Sequence, residues 1–291
     1  MNIKVNDELK EEIIKFYRTK PMSYATVQEA YGLCQPTISK ILKNEVRYRK
    51  NLIFNPELKE DFFEKINDEY KAYFLGLMIS DGNVFIEADR KNNRQASISI
   101  TLNEDDSYIL EEFKRIVKTN TAISSDGRGC SYVAVRSNKL ASDLATYGVV
   151  PRKTSNTFLP QLNSDLMPHL IRGILDGDGS IGAHLIKSGR FLHYISFCGT
   201  ERLMCEMSDF LYKTLNLNTK PKIYTYKDKQ LSEFSIRKIE DMKKVGDYLY
   251  NDANIFFIRK KNTYDFFLQH YNLKYGNTEV SSEITQGSET P

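Results

Sequence analysis

Apolar and polar positions alternate along several short stretches in the middle of the chain. Ala96, Ile98 and Ile100 are separated by polar residues, and the stretches 194–197 and 234–237 show the same period of two. This period predicts β-strands that bury one face and leave the other face polar. Stretches with helical spacing flank the strand pairs, in the order helix, two strands, helix, two strands, helix. The pattern therefore predicts an α+β fold with half-buried antiparallel sheets.

This order of elements occurs twice, and the two copies share a motif. Residues 73–82 (YFLGLMISDG) resemble residues 170–179 (LIRGILDGDG), and their aspartates, Asp81 and Asp178, lie 97 positions apart. Each aspartate is followed 22 residues later by a helix start signal. Two copies with matching flanks indicate a duplicated unit rather than two chance motifs, because a single string of this kind is usually just a helix ending at a turn.

Three short helical patterns precede the duplicated unit. Apolar residues recur at helical spacing in 7–18 and 24–31, and a third pattern begins near Pro36. Gly32 provides a turn before the third pattern, which is typical of a helix-turn-helix. The first fifty residues carry ten basic and six acidic side chains, a net charge of +4, whereas the whole chain carries +3. This charge favours DNA binding, although a small helical bundle without a DNA role is the alternative.

The third helical pattern supplies the candidate recognition residues. Those predicted to be exposed and able to reach base edges or phosphates are Gln35, Thr37, Ser39, Lys40 and Lys43. The predicted organisation is a helix-turn-helix domain at 1–50, a linker at 51–66, two repeat halves at 67–162 and 163–275, and a disordered tail at 276–291.

The cysteines and the apolar runs exclude two other classes of protein. The four cysteines form no C-x-x-C pair, which argues against zinc and favours free thiols in a reducing compartment. The N-terminus lacks an apolar signal region, and no apolar run is long enough to span a bilayer. We therefore expect a soluble protein in the cytoplasm.

Each copy of the motif combines a small-residue helix face with an aspartate at its end. Gly76 and Gly173 each have another small residue four positions later, on the same helix face. Such faces let two helices pack closely, which would bring Asp81 and Asp178 together at the helix ends. Two carboxylates at the negative ends of helices repel each other unless a cation neutralises them. The aspartates are therefore predicted to bind Mg²⁺, which could activate water for phosphodiester hydrolysis.

Both motif segments resemble the LAGLIDADG motif of homing endonucleases, and their spacing is similar to that of single-chain members with two motifs. The resemblance covers about 67–272 and implies two pseudo-symmetric αββαββα halves whose motif helices form the interface. The metal-binding acid of the family, at the eighth motif position, falls on Asp81 and Asp178. The resemblance implies a monomer that cuts both strands of double-stranded DNA and requires Mg²⁺. The first motif departs from the family at the sixth position, where Ile79 stands in place of an acid.

The resemblance also implies a catalytic lysine near the end of each half, which organises solvent at the cleavage site. In the first half this position falls on Lys153. In the second half it falls on Lys260, with Lys261 as the alternative register. Without the resemblance, these lysines would be interpreted as solvated surface residues.

The polar strand faces are predicted to contact the DNA bases. The alternative is that they are ordinary solvent-exposed surfaces. The candidates are Gln95, Ser97, Ser99, Arg136, Tyr194, Ser196, Ser235 and Arg237. Tyr224 and Tyr226 could stack on DNA sugars, although packing is favoured for them.

Two other functions stay open at the level of sequence. One is a transcription regulator that binds DNA without cutting it, and the other is a maturase that assists splicing of intron RNA. The chain has no intein splicing frame, so we expect an intron-encoded or free-standing protein of a bacterium or phage.

Overall fold

The computed structural model describes residues 6–19, 24–42, 57–88, 94–151, 157–187, 189, 191–226 and 231–275. Two compact units are present. The first contains the N-terminal residues up to Leu58 together with Lys118–Thr121, and the second contains the remainder of the chain. No helix within the described residues is long and apolar enough to cross a membrane.

In the described part of the N-terminal unit, three helices surround a small core of their own. They are α1 (Asp7–Thr19), α2 (Tyr24–Tyr31) and α3 (Gln35–Ile41). The core consists of Ile13, Val27, Leu33, Ile38 and Leu42. Gly32 has a φ of 62° in the turn between α2 and α3, a conformation that glycine adopts without steric cost. These helices lie where the periodicity predicts them, while the DNA role of this unit and the domain boundary at residue 50 stay predictions.

Within its described residues, the first half of the second unit has four antiparallel strands and three α-helices. In chain order they are α4 (Glu69–Ser80), β1 (Gly82–Ala88), β2 (Arg94–Asn103), α5 (Ser107–Val117), β3 (Ser124–Ser125), β4 (Cys130–Arg136) and α6 (Asn138–Thr146). The strand order in the sheet is β1-β2-β4-β3. The predicted order of elements in this half is therefore confirmed.

The described residues of the second half repeat this arrangement and add one helix. Its elements are α7 (Met167–Asp178), β5 (Gly179–Leu185), β6 (Phe191–Gly199), α8 (Glu201–Thr214), β7 (Tyr224–Tyr226), β8 (Leu231–Ile236), α9 (Ile239–Tyr250) and α10 (Ile258–Tyr275). The strand order is β5-β6-β8-β7, equivalent to that of the first sheet. The two αββαββα halves are confirmed, and α10 extends the second beyond the predicted pattern.

The helices α4 and α7 pack against each other at the centre of this unit. Both are buried over most of their length, since residues 72–79 of α4 and 170–176 of α7 are all buried. A Cβ atom on Gly76 would collide with the carbonyl oxygen of Leu170, and one on Gly173 would collide with that of Tyr73. The two helix backbones therefore touch where the glycines cross, as the small-residue pattern predicts.

Replacing Gly173 with alanine is expected to destabilise the protein by about 3 kcal/mol, near the upper end for overpacked cores. The added methyl group meets backbone atoms of α4, which no side-chain rotation can move away. Chemical denaturation of the purified variant measures this loss. Gly199→Ala is the control, because its methyl group would meet the flexible ends of Met204 and Leu203. Equal stability of the two variants would contradict the close packing of α4 and α7.

Candidate active site and nucleic-acid interface

The two motif aspartates lie at neighbouring helix ends. Asp81 caps the C-terminus of α4, and its backbone N–H donates to the carbonyl of Leu77. Asp178 is the last residue of α7. A Cβ atom on Gly177, the residue before Asp178, would lie 3.0 Å from Oδ2 of Asp81. The carboxylate of one motif therefore lies against the end of the other motif, as the sequence predicts.

The donor atoms at these helix ends fit a hard divalent cation. Among the described residues, no group of three or more His, Cys, Asp or Glu side chains could enclose a metal ion. Magnesium does not need such a group, because it keeps several waters and takes one or two carboxylates together with substrate phosphates. Cys198 donates its thiol proton to the carbonyl of Asp178 at 2.8 Å, and burial raises its pKa to about 11. The thiol is therefore neutral, and the carboxylates of Asp81 and Asp178 stay the predicted metal ligands.

The first sheet presents the predicted polar residues on one face. Ser97 pairs with Arg136 across β2 and β4, and Ser99 pairs with Ala134. Gln95 pairs with Glu87 of β1. The alternating residues Ala96, Ile98, Ile100, Val133 and Val135 are buried on the opposite face.

The second sheet repeats this division. Ser196 pairs with Ser235, and Tyr194 lies on the same face of β6, opposite Gly182. Arg237 directly follows the end of β8 and is exposed. The residues that alternate with them along β6 and β8 are buried on the opposite face, and they are Ile195, Phe197, Phe234 and Ile236. The predicted polar faces thus exist in both sheets, while their contact with DNA stays a prediction.

Comparison with known proteins gives a fold but no sequence family. No family model and no curated protein sequence matches the chain. Its structure is similar to that of the LAGLIDADG homing endonuclease I-SmaMI bound to cleaved DNA, with a TM-score of 0.52 and 16% identity over 76% of this chain and 95% of that one. It is also similar to the LAGLIDADG meganuclease I-AabMI bound to uncleaved DNA, with a TM-score of 0.52 and 13% identity over 76% of this chain and 97% of that one. This chain has the LAGLIDADG homing endonuclease fold.

Lys260 contacts the C-terminal end of α7. It lies in the first turn of α10 and is 4% exposed. Its ammonium group donates to three backbone carbonyls, those of Leu175, Asp176 and Gly179, at 2.6 Å each. Burial lowers its pKa to about 8, against the attraction of Asp176, which raises it. Lys260 therefore lies directly behind the helix end that carries Asp178.

The structure also distinguishes the two lysine registers left open by the sequence. Lys261 pairs with Asp265 one turn further along α10, at 2.6 Å, and does not point to the end of α7. Of these two lysines, Lys260 is the one beside the aspartates. Its observed contacts are with main-chain oxygens, and its predicted part in organising solvent is untested. Lys153 and Lys43 lie outside the described residues.

The sixth motif position has a structural role in the second half. Asp176 is fully buried, and its Oδ2 accepts hydrogen bonds from the hydroxyl of Tyr73 on α4 and the N–H of Phe257, both at 2.8 Å. Burial raises its pKa to about 6. The equivalent residue of the first motif, Ile79, is also buried. In the second motif, the sixth-position acid therefore connects the two halves through its hydrogen bond from Tyr73. The acid at the eighth position is present in both motifs.

Two exposed side chains on the polar sheet faces, Phe85 and His184, were not singled out from the sequence. Phe85 pairs with Ser97 on the polar face and is 56% exposed. His184 stacks on Tyr194, with ring centroids 5.2 Å apart. Tyr224 and Tyr226 are both exposed, so neither is a core residue. Phe85 could not be recognised from the sequence because the residues on both sides of it are apolar. The alternation of apolar and polar positions is therefore not visible in this strand.

Proposed function

We propose that this protein is a site-specific double-strand DNA endonuclease that uses Mg²⁺ and acts as a monomer. The observation that carries the proposal is the convergence of Asp81 and Asp178 at the ends of two closely packed helices. Each helix end leads directly into a sheet with one polar, exposed face. A metal site between two such sheets is the arrangement that a nuclease needs to cut both strands of one duplex.

Some residues of the chain would bind DNA or metal ions, and others keep those residues in position. The polar sheet faces would contact base edges in the major groove, where donor and acceptor patterns distinguish all four base pairs. Asp81 and Asp178 would hold the divalent ions, and Lys260 keeps the end of α7 in place through three carbonyls. Bound Mg²⁺ would supply activation of water and neutralisation of charge on the phosphate.

The similar structures support this assignment. The I-SmaMI structures include complexes with cleaved DNA and with uncleaved DNA in the presence of calcium ions, and I-AabMI was solved on uncleaved DNA. A regulator that binds DNA without cutting is the main alternative, and it does not need paired carboxylates at the helix ends. Both aspartates are present here, which favours the nuclease.

The test is a binding and cleavage assay on one pool of DNA. Plasmids with random inserts are bound by the protein in EDTA and then supplied with Mg²⁺. We expect binding under both conditions and linear plasmid only with Mg²⁺, from inserts that share one sequence. Binding that never leads to cleavage would instead identify a regulator.

The N-terminal unit is proposed to lengthen the recognised site. Deleting residues 1–50 is expected to shorten the protected region and to reduce the salt dependence of binding, because each neutralised phosphate contributes about 0.9 to the slope of log K against log salt. Cleavage should persist, because Asp81 and Asp178 lie in the second unit. Footprinting at several salt concentrations measures both effects.

The matched control for this deletion removes charge without removing helices. A full-length protein with Lys15→Ala and Lys40→Ala keeps α1 and α3 but loses two exposed positive charges of the same unit. It should show an intermediate salt slope. Identical footprints and slopes for all three proteins would show that this unit does not bind DNA. An unfolded truncated protein would show that the boundary at residue 50 is wrong.

A further inference from the structure

Two side chains of the first half contact the chain segment that carries Lys260 in the second half. Residues 256–260, the lysine segment, lead into α10 and form its first turn. The contacting side chains are Asp106, which directly precedes α5, and Tyr108 in the first turn of that helix. The position of Lys260 therefore depends on residues about 150 positions earlier in the chain.

Tyr108 bridges two main-chain groups of the lysine segment. Its hydroxyl donates to the carbonyl of Phe256 at 3.1 Å and accepts the N–H of Ile258 at 2.7 Å. Burial raises the pKa of Tyr108 to about 12, so the hydroxyl keeps its proton and can make both bonds. The N–H of the intervening residue, Phe257, donates to Asp176 of α7. Side chains from both halves thus fix three consecutive residues of the main chain.

Asp106 holds the residue that precedes Lys260. It is 2% exposed, and its Oδ2 accepts a hydrogen bond from Nε of Arg259 at 2.9 Å. A buried carboxylate is costly without a cationic partner, so this pair favours one position of the Arg259 side chain. The lysine segment is therefore attached to the first half through its main chain and through a side chain.

These contacts reach the candidate active site through Lys260. The N–H of Lys260 donates to the carbonyl of Phe257, which lies between the two main-chain groups that Tyr108 holds. The ammonium group of Lys260 donates to three carbonyls at the end of α7, the helix whose last residue is Asp178. A short series of hydrogen bonds therefore connects the start of α5 with the helix end that carries Asp178.

The second half has other residues at the matching positions. Asp106 and Tyr108 follow the aspartate of the first motif by 25 and 27 residues, and the same distances from the second motif aspartate lead to Leu203 and Cys205. Neither Leu203 nor Cys205 has a carboxylate or a phenol hydroxyl. The contact between α5 and the lysine segment is therefore not repeated by the duplication, and it distinguishes the two halves.

We propose that Asp106 and Tyr108 are positioning residues for the cleavage site of the second half, because they hold Lys260 against the helix end that carries Asp178. The proposal rests on the proposed function and adds to it a dependence of one half's site on the other half. Both residues would act through the lysine segment and not by touching the phosphate. Their loss should therefore impair one of the two cuts more than the other.

The test uses the full-length protein with Tyr108→Phe, which keeps the ring and removes only the hydroxyl. Asp106→Asn, which keeps the side-chain shape and removes the charge, tests the second contact. The control is Tyr212→Phe, because Tyr212 is an exposed tyrosine of α8 outside the residues assigned to the site. Thermal denaturation shows whether each variant is folded at the assay temperature, and Asp106→Asn decides the matter if Tyr108→Phe is not.

Three properties are measured for each protein. Duplex binding is measured in EDTA, and single-turnover cutting of a supercoiled plasmid that carries the selected insert is measured in Mg²⁺. Acetylation of Lys260 by acetic anhydride is followed by mass spectrometry in EDTA, with the exposed Lys213 of α8 as the reference. Acetylation reports the position of Lys260 without any cleavage, since a lysine that is 4% exposed is shielded from the reagent.

Tyr108→Phe is expected to bind DNA as the unaltered protein does and to acetylate faster at Lys260 but not at Lys213. One strand should be cut about 10- to 100-fold more slowly, the loss that a displacement of about 1 Å can cause. Nicked plasmid should therefore accumulate before linear plasmid, because two related halves face the two related strands. Asp106→Asn should change the same properties in the same direction, and Tyr212→Phe should change none of them.

Unchanged acetylation of Lys260 in Tyr108→Phe and Asp106→Asn would overturn the proposal, as would cutting at the normal rate or equal slowing of both strands. Intact plasmid with the unaltered protein would refute the proposed nuclease, and the positioning role would fall with it. Normal cutting by the unaltered protein and by Tyr108→Phe would refute the positioning role alone.

Discussion

Replacing Asp81 or Asp178 with asparagine is expected to abolish double-strand cleavage and to leave DNA binding nearly unchanged. The asparagine side chain has the same shape but no charge, so it is a poor ligand for Mg²⁺. Loss of several kcal/mol of transition-state stabilisation lowers the rate by about 10³-fold or more. The sheets that would contact the duplex are not altered. Single-turnover cleavage and gel-shift assays on the same target measure the two properties separately.

The control for these variants is Asp252→Asn. Asp252 is exposed and follows α9, outside the residues assigned to the site. The Asp252→Asn variant should bind and cut DNA as the unaltered protein does. Cleavage at the normal rate by either Asp81→Asn or Asp178→Asn would show that these aspartates are not the metal ligands.

Replacing Lys260 with methionine is expected to destabilise the protein by about 3–5 kcal/mol. Methionine fills a similar volume but leaves the carbonyls of Leu175, Asp176 and Gly179 without their donor. The buried carboxylate of Asp176 also loses a positive neighbour. For a unit of this size, the loss corresponds to a fall in Tm on the order of 10 °C. Thermal denaturation with and without DNA measures it.

Lys261→Met is the matched control for this prediction. Lys261 makes a partly exposed pair with Asp265 on the same helix, and such pairs contribute about 0.5 kcal/mol. If Lys260→Met melts at the same temperature as Lys261→Met, the three carbonyl contacts do not stabilise α7. If Lys260→Met keeps its stability but loses cleavage, Lys260 contacts solvent at the site rather than the main chain.

The fold could be predicted because its determinants are local and repeated. The alternation of Ile98 and Ile100 with serines and the duplicated Asp-Gly ends each restrict the conformation of a short stretch. The duplication then implies that both stretches adopt one structure. Close packing at Gly76 and Gly173 follows from side-chain size alone, so the meeting of the aspartates could also be expected.

Contacts between distant segments could not be predicted in this way. Arg172 is fully buried in α7, and its guanidinium donates to the carbonyls of Leu249 and Ile255 and to Glu69 of α4. Nothing in the sequence near Arg172 indicates these partners, which lie about 80 and 100 residues away. The same holds for Lys260, whose neighbours depend on how α10 packs behind α7. The resemblance to a motif indicated its position but not its three carbonyl contacts.

The central claim is that Asp81 and Asp178 form one metal-dependent site that cuts both strands of a duplex. The most direct measurement is a cleavage assay on DNA from the locus where the gene is inserted, with its intron or gene removed, with Mg²⁺ or with EDTA. We expect a double-strand break at one position, present with Mg²⁺ and absent with EDTA or with Asp178→Asn. A break that persists in EDTA or in Asp178→Asn, or DNA that stays intact while bound in Mg²⁺, would contradict the account.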